Sequence, residues 1–133
     1  MIAIALAGGG ERVVAWEAGV LSGLRVRPDV VLGTSAGALV GARFAAGWAP
    51  DDDVVPGPHP AAAFEQLARA WEAAGMTLQQ RRRTLGRCAL AASPGGEEAY
   101  VRRIAARVPH VWPAGLRIAA IDAESGERVV FST

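Results

Sequence analysis

Apolar residues fall into short runs ended by glycine in the first third of the chain, and into helical stripes through its middle. Residues 2–7, "IAIALA", are an unbroken apolar run stopped by Gly8-Gly9-Gly10, which predicts a strand buried on both faces. Residues 12–24 place Val13, Val20, Leu21 and Leu24 on one stripe of a helix closed by Gly23 and an "RVRPD" turn. The cycle then repeats. "DVVL", residues 29–32, predicts a second short strand, and residues 36–47 predict a helix rich in Ala and Gly that packs very close to a sheet. Two successive β-loop-α units follow from this pattern.

Beyond them the composition changes. "APDDDVVPGPHP", residues 49–60, is dense in Pro, Gly and Asp and predicts an exposed loop. Phe64, Leu67, Ala68 and Trp71 stand at i, i+3, i+4 and i+7, predicting an amphipathic helix over 61–74 with Trp71 in the core. Thr77 is placed to cap a helix running to about Ala92, broken by "SPGG". Tyr100, Val101, Ile104, Ala105 and Val108 mark one more helix, ending at Pro109. Residues 116–122, "LRIAAID", and 127–132, "ERVVFS", predict two strands joined by a tight turn at Glu124-Ser125-Gly126. The order β-α-β-α, then helices, then β-β predicts an α/β domain whose mainly parallel sheet carries an appended antiparallel pair.

The length of 133 residues allows one domain with a real core. The apolar share is 51% and the charged share 20%, the balance of a folded protein rather than a disordered one. A formal net charge of +1 gives no global field that favours nucleic acid or an acidic partner. Cys88 is the single cysteine, so it has no internal disulfide partner and no partner at metal-ligand spacing. That fits a reducing, cytoplasmic compartment. Ala5-Leu6-Ala7 mimics a leader cleavage site, but no Lys or Arg precedes a run that is short for a leader core, so a strand is the reading taken. No stretch approaches the roughly 20 apolar residues of a membrane span, although peripheral contact with a membrane surface stays open.

Candidate chemistry centres on two loops. Gly33-Thr34-Ser35-Ala36-Gly37 fits G-x-S-x-G, in which a sharp strand-to-helix turn holds a serine oxygen clear of the backbone. A side chain at either glycine would collide with the neighbouring strand and helix. Gly8-Gly9-Gly10 ends the first strand and opens the first helix, leaving backbone N–H groups free near a helix N-terminus. If the first two strands are parallel neighbours, both loops leave the same carboxyl edge of the sheet, where α/β folds bind their ligands. Donors for a developing oxyanion would then lie beside an oxygen able to attack a carbonyl, as acyl transfer requires.

"GGGERV" at residues 8–13, "AWEAGVLSGL" at 15–24 and "GTSAGA" at 33–38 together resemble the patatin-like phospholipase family, with its GGGxRG oxyanion loop and GxSxG elbow. "LRIAAIDAESGERVVF", residues 116–131, resembles the family's strand pair, in which an Asp shortly before a Thr-Gly or Ser-Gly turn is typical. The resemblance extends from Met1 to Thr133, more loosely in the middle helices. It implies a mainly parallel three-layer α/β sheet of patatin-like topology and hydrolysis of lipid carboxylic esters through an acyl-enzyme, with no metal or organic cofactor. Ser35 is implied as nucleophile, Gly8, Gly9 and Gly10 as oxyanion-hole donors, Arg12 as support of the glycine loop, and Gly33 and Gly37 as the glycines of the elbow. Val13 departs from the family, which usually has a small residue there.

The base departs further. In the family it is an Asp of an Asp-Gly-Gly or Asp-Gly-Ala motif well after the strand pair, whereas Asp29, Asp51, Asp52, Asp53 and Asp122 are each followed by a residue other than glycine. Asp122 matches the family's structural hairpin aspartate. A serine without a base is a weak nucleophile. Two expectations follow: residues 1–133 are the N-terminal part of a longer enzyme, or they are a non-catalytic binding or regulatory module that kept the fold. Truncation on the C-terminal side is the reading taken, because a final apolar "VVF" strand leaves a sheet edge that a complete domain covers. The same edge makes self-association plausible.

Other readings compete. A Ser-His-Asp hydrolase would need His59, in a proline-rich loop, or His110, between a helix end and a turn, and both read as surface residues. A nucleotide-binding α/β domain would use the glycine loop for phosphate, yet the third glycine of a dinucleotide fingerprint and any G-x-x-x-x-G-K-[ST] are missing. Arg81-Arg82-Arg83 with Arg87 reads either as a solvated helix face or as a contact for anionic lipid head groups. Among Trp16, Trp48, Trp71 and Trp112, the loop residues Trp48 and Trp112 are the candidates for an interfacial surface.

Overall fold

A computed structural model describes residues 1–49, 65, 68, 69, 71, 72, 77–91 and 97–133. The expected loop over 49–60, with Asp51, Asp52, Asp53 and His59, lies almost wholly outside the described residues, as does most of the expected helix over 61–74. The elements are β1 (Ala3–Leu6), α1 (Gly10–Gly23), β2 (Val30–Gly33), α2 (Ala36–Ala45), α3 (Leu78–Ala91), α4 (Glu97–Ala105), β3 (Leu116–Ile121) and β4 (Arg128–Phe131). The sheet order is β1-β2-β3-β4, with β1–β2 and β2–β3 parallel. β3 and β4 are consecutive neighbours joined by a turn too short for a parallel crossover, so that pair is antiparallel. The chain divides into two compact units: Met1–Pro56 with Val101–Ala120 and Val130–Thr133, and Gly57–Tyr100 with Ile121–Val129.

In the first unit, Val14, Leu21, Ala36 and Val40 form one apolar cluster and Val31, Ala42 and Leu116 another, with Ile4, Leu6 and Phe44 packed against both. Helix α2 reaches the sheet closely because Gly41 faces Val31, where an added Cβ would stand 3.0 Å from the valine Cγ1. The end of α2 follows from sequence. Gly47 takes φ 75 and its N–H donates to the Phe44 carbonyl, while the Trp48 N–H donates to that of Arg43, a Schellman closure that needs a left-handed residue at Gly47. The Arg43 guanidinium carbon then sits 5.6 Å from the centre of the Trp48 ring.

Two expectations for this unit are corrected. β1 is not buried on both faces: Ile4 and Leu6 face the core, whereas Ala3 and Ala5 are exposed on an edge strand. The buried stripe of α1 is Val14, Glu17, Ala18 and Leu21, while Val20 (49%) and Leu24 (37%) are exposed. The bulk of Val13, Val20 and Leu24 outweighed the short Ala18 in the reading of the sequence. A glutamate in the stripe concealed it further.

In the second unit, Thr77 opens α3 with a capping box. Its hydroxyl accepts from the Gln80 N–H at 3.3 Å, and the Gln80 side chain accepts from the Thr77 N–H at 2.7 Å. The hairpin turn is built on Asp122, whose Oδ1 accepts from the N–H groups of Ser125 (2.6 Å) and Glu124 (3.2 Å). These bonds hold its carboxyl below the usual carboxylate range, the Ser125 N–H contributing most. Gly126 has φ 73, and an added Cβ would meet Arg83. The basic run is therefore only partly solvated: Arg83 Nε donates to the Glu124 carbonyl at 2.9 Å, and Arg81 and Arg82 are half-buried. Trp71, expected in the core, is 37% exposed, with the Arg81 guanidinium 5.9 Å from its ring centre. The stripe that assigned it inward rested on Phe64 and Leu67, which lie outside the described residues.

Candidate active site

The serine turn grows out of the parallel pairing of β1 and β2. Leu6 pairs with Gly33, and the zip continues past the strands: the Leu6 carbonyl accepts from the Thr34 N–H at 3.3 Å and the Ala7 carbonyl from the Gly37 N–H at 3.1 Å. The chain must reverse from strand to helix within Thr34 and Ser35. Ser35 absorbs the turn at φ 52, ψ −119, and is the only described non-glycine residue with positive φ. Glycines are needed on both sides, since a Cβ on Gly33 would enter the Gly37 backbone and one on Gly37 would enter that of Leu6. Thr34 ties the turn to the third strand, its Oγ1 donating to the Ala119 carbonyl at 2.8 Å.

Ser35 is exposed and sits at the N-cap position of α2, yet its hydroxyl makes no capping bond. A residue so placed usually spends its oxygen on the helix N–H groups. Here the oxygen remains available.

The glycine loop lies against this serine. A Cβ on Gly8 would stand 3.1 Å from Ser35 Cβ and 3.6 Å from Thr34 Cγ2. Gly9 packs on Val13, where any side chain would collide, and Gly10 turns into α1 at φ 65. Among the described residues, no loop or cap hydrogen bond uses the N–H of Gly8, Gly9 or Gly10. The structure thus brings together Gly8, Ser35, Gly33 and Gly37, places Gly9 and Gly10 at the head of α1, and leaves Arg12 exposed on the first helical turn. His110 is exposed in the segment after α4.

Sequence reading missed Glu17. It is 2% exposed, and its Oε1 accepts the Ala7 N–H at 2.7 Å, one residue before the glycine loop. Its pKa is pushed above the usual carboxylate value, burial outweighing the opposing pull of the Ala7 N–H. The available signal was a charged residue on the buried stripe of the helix that follows the loop. Among the described residues, no cluster of His, Cys, Asp and Glu is arranged to hold a metal ion, and no helix is long and apolar enough to cross a membrane.

Parallel strand, strained serine turn and closely packed helix, with Gly8 against the serine, form one strand-turn-helix arrangement. Residues 4–56, which take in both β-loop-α units, match the family described as Patatin-like phospholipase. The match covers the N-terminal part of that family's domain, and the α/β order with its mostly parallel four-stranded sheet is consistent with that fold. No curated protein and no solved structure matches the chain.

Proposed function

We propose that residues 1–133 carry the nucleophile and oxyanion half of a patatin-like serine acyl hydrolase acting on carboxylic esters of lipids. The observation that carries this reading is the exposed Ser35, held at φ 52 with its hydroxyl unused by α2 and with Gly8 packed against it. Ser35 Oγ attacks the acyl carbonyl carbon as its proton passes to a base. Negative charge gathers on the carbonyl oxygen, which accepts from the free N–H groups of residues 8–10. The alcohol leaves with a proton, the acyl group stays on Ser35, and water then releases the fatty acid and restores the serine. Arg12 supports the loop from the first turn of α1. The base is an Asp-Gly aspartate of the kind the family uses, for which residues 1–133 offer no match, so acylation of Ser35 in this chain is slow. No step in this scheme calls for a metal or an organic cofactor.

The reading includes a cytoplasmic protein in peripheral contact with lipid, supported by the exposed Trp48 (41%) and Trp112 (37%). It also includes self-association through β4, whose Val129, Val130 and Phe131 are exposed. One observation favours a non-catalytic binding module instead: every Asp in the chain is followed by a residue other than glycine.

Covalent acylation of Ser35 separates the two. The chain is incubated with a p-nitrophenyl ester in excess, and its peptides are mapped by mass. An acyl group on the Ser35 peptide, absent from Ser35→Ala, supports the hydrolase half-site. A folded chain that stays unacylated under conditions that acylate other serine esterases supports the binding module.

A further inference from the structure

Glu17 has a position that core packing alone does not explain. It lies on the buried stripe of α1 between Val14, Ala18 and Leu21, where an apolar side chain would be the ordinary occupant. Removing a carboxyl group from water is costly unless its oxygens are satisfied, and Oε2 has no hydrogen-bond partner among the described residues. The one partner Glu17 makes is the Ala7 N–H at 2.7 Å. That amide belongs to the residue joining β1 to the glycine loop, and the Ala7 carbonyl receives the Gly37 N–H at 3.1 Å. Ala7 is therefore gripped on both sides: by α1 through its N–H, and by the head of α2 through its carbonyl. Gly8, the next residue, is the one in contact with Ser35.

We propose that Glu17 is the positioning residue of the glycine loop, its buried Oε1 fixing Ala7 and thereby the placement of Gly8–Gly10 against Ser35. Its connection to reactivity rests on the reading of Ser35 as nucleophile; its hold on the loop does not. A displacement of about 1 Å between a nucleophile and its oxyanion donors lowers a rate on the order of a hundredfold, so a loop freed at Ala7 would show in Ser35 chemistry.

Two substitutions and two readouts test this on the full 133-residue chain. Glu17→Gln keeps a carbonyl oxygen to accept the Ala7 N–H, and Glu17→Leu keeps the approximate volume while removing every acceptor. The first readout is Ala7 amide exchange by NMR, and the second is the rate at which a fluorophosphonate labels Ser35. In the unsubstituted chain the Ala7 amide exchanges slowly although Ala7 itself is exposed. Glu17→Gln retains that protection and labels within about threefold of the unsubstituted rate. Glu17→Leu loses the protection and labels at least about tenfold more slowly, while its thermal midpoint is equal or higher. A residue that merely fills the core would give the reverse order.

Fast Ala7 exchange in the unsubstituted chain overturns the proposal, and so does retained protection in Glu17→Leu. A folded Glu17→Leu chain that labels at the unsubstituted rate overturns it as well. If Glu17→Leu does not fold, the unsubstituted and Glu17→Gln exchange rates decide alone. Should Ser35 stay unlabelled in every form while the Ala7 pattern holds, the proposed function falls and the role of Glu17 in placing the loop stands.

Discussion

Gly8 lies against Ser35 so closely that a Cβ on the glycine would stand 3.1 Å from the serine Cβ. The contact joins the loops of the two β-loop-α units. It arises because the parallel pairing of Leu6 with Gly33 brings both strand ends to the same edge, and because the Leu6 and Ala7 carbonyls continue the pairing into the serine turn.

Gly8→Ala tests that contact. The new methyl group needs the serine turn to give by a few tenths of an ångström, since Thr34 closes the other side at 3.6 Å. The chain is expected to fold and to lose roughly tenfold in Ser35 labelling rate, because Ser35 and the proposed oxyanion donors lose their alignment. Labelling kinetics against an unchanged circular dichroism spectrum check this.

Gly37→Ala is expected to act on stability. The added methyl group would enter the Leu6 backbone, which is held in the sheet and cannot rotate away as a side chain would. A loss of about 2–4 kcal/mol is expected from such overpacking, read as a lower urea midpoint. Gly10→Ala provides the contrast, since no atom lies within 4 Å of a Cβ there and only the positive φ of 65 opposes it. It is expected to cost about 1 kcal/mol.

The buried carboxyl of Glu17 gives a pH signature. Burial raises its folded-state pKa above the ordinary 4.5, so the folded chain holds this proton to higher pH than the unfolded chain does. Stability owed to this group is therefore fully present below the unfolded-state value and is lost as pH rises from there through the folded-state value. Glu17→Gln is expected to be more stable than the unsubstituted chain at neutral pH, with the gap closing as pH falls toward 4.5. Urea unfolding of both proteins across that range checks the sign.

Much of this was legible in the sequence, for identifiable reasons. Apolar runs that stop at glycine gave β1 and β2, and the flanking glycines of Ser35 announced a turn with no room for side chains. Thr77 announced the start of α3 as its cap, and the structure adds Gln80 as the reciprocal partner. The inward face of α1 was hidden because Ala18 contributes little to a hydrophobic stripe and Glu17 subtracts from one. A single chain of residues also does not show that β1 is an edge strand, since burial of Ala3 and Ala5 depends on what lies beside them. Glu17 stayed out of view for a related reason: its partner is a backbone N–H, and backbone groups leave no mark in an amino-acid sequence.

The central claim is that Ser35 and the glycine loop already form a nucleophile site within these residues. The most direct measurement is the intact mass of the folded chain after reaction with a fluorophosphonate, with Ser35→Ala and urea-unfolded chain alongside. One adduct on the Ser35 peptide, missing from both controls, is the expected result. A chain shown to be folded that takes no adduct, or an adduct that persists in Ser35→Ala, would contradict it.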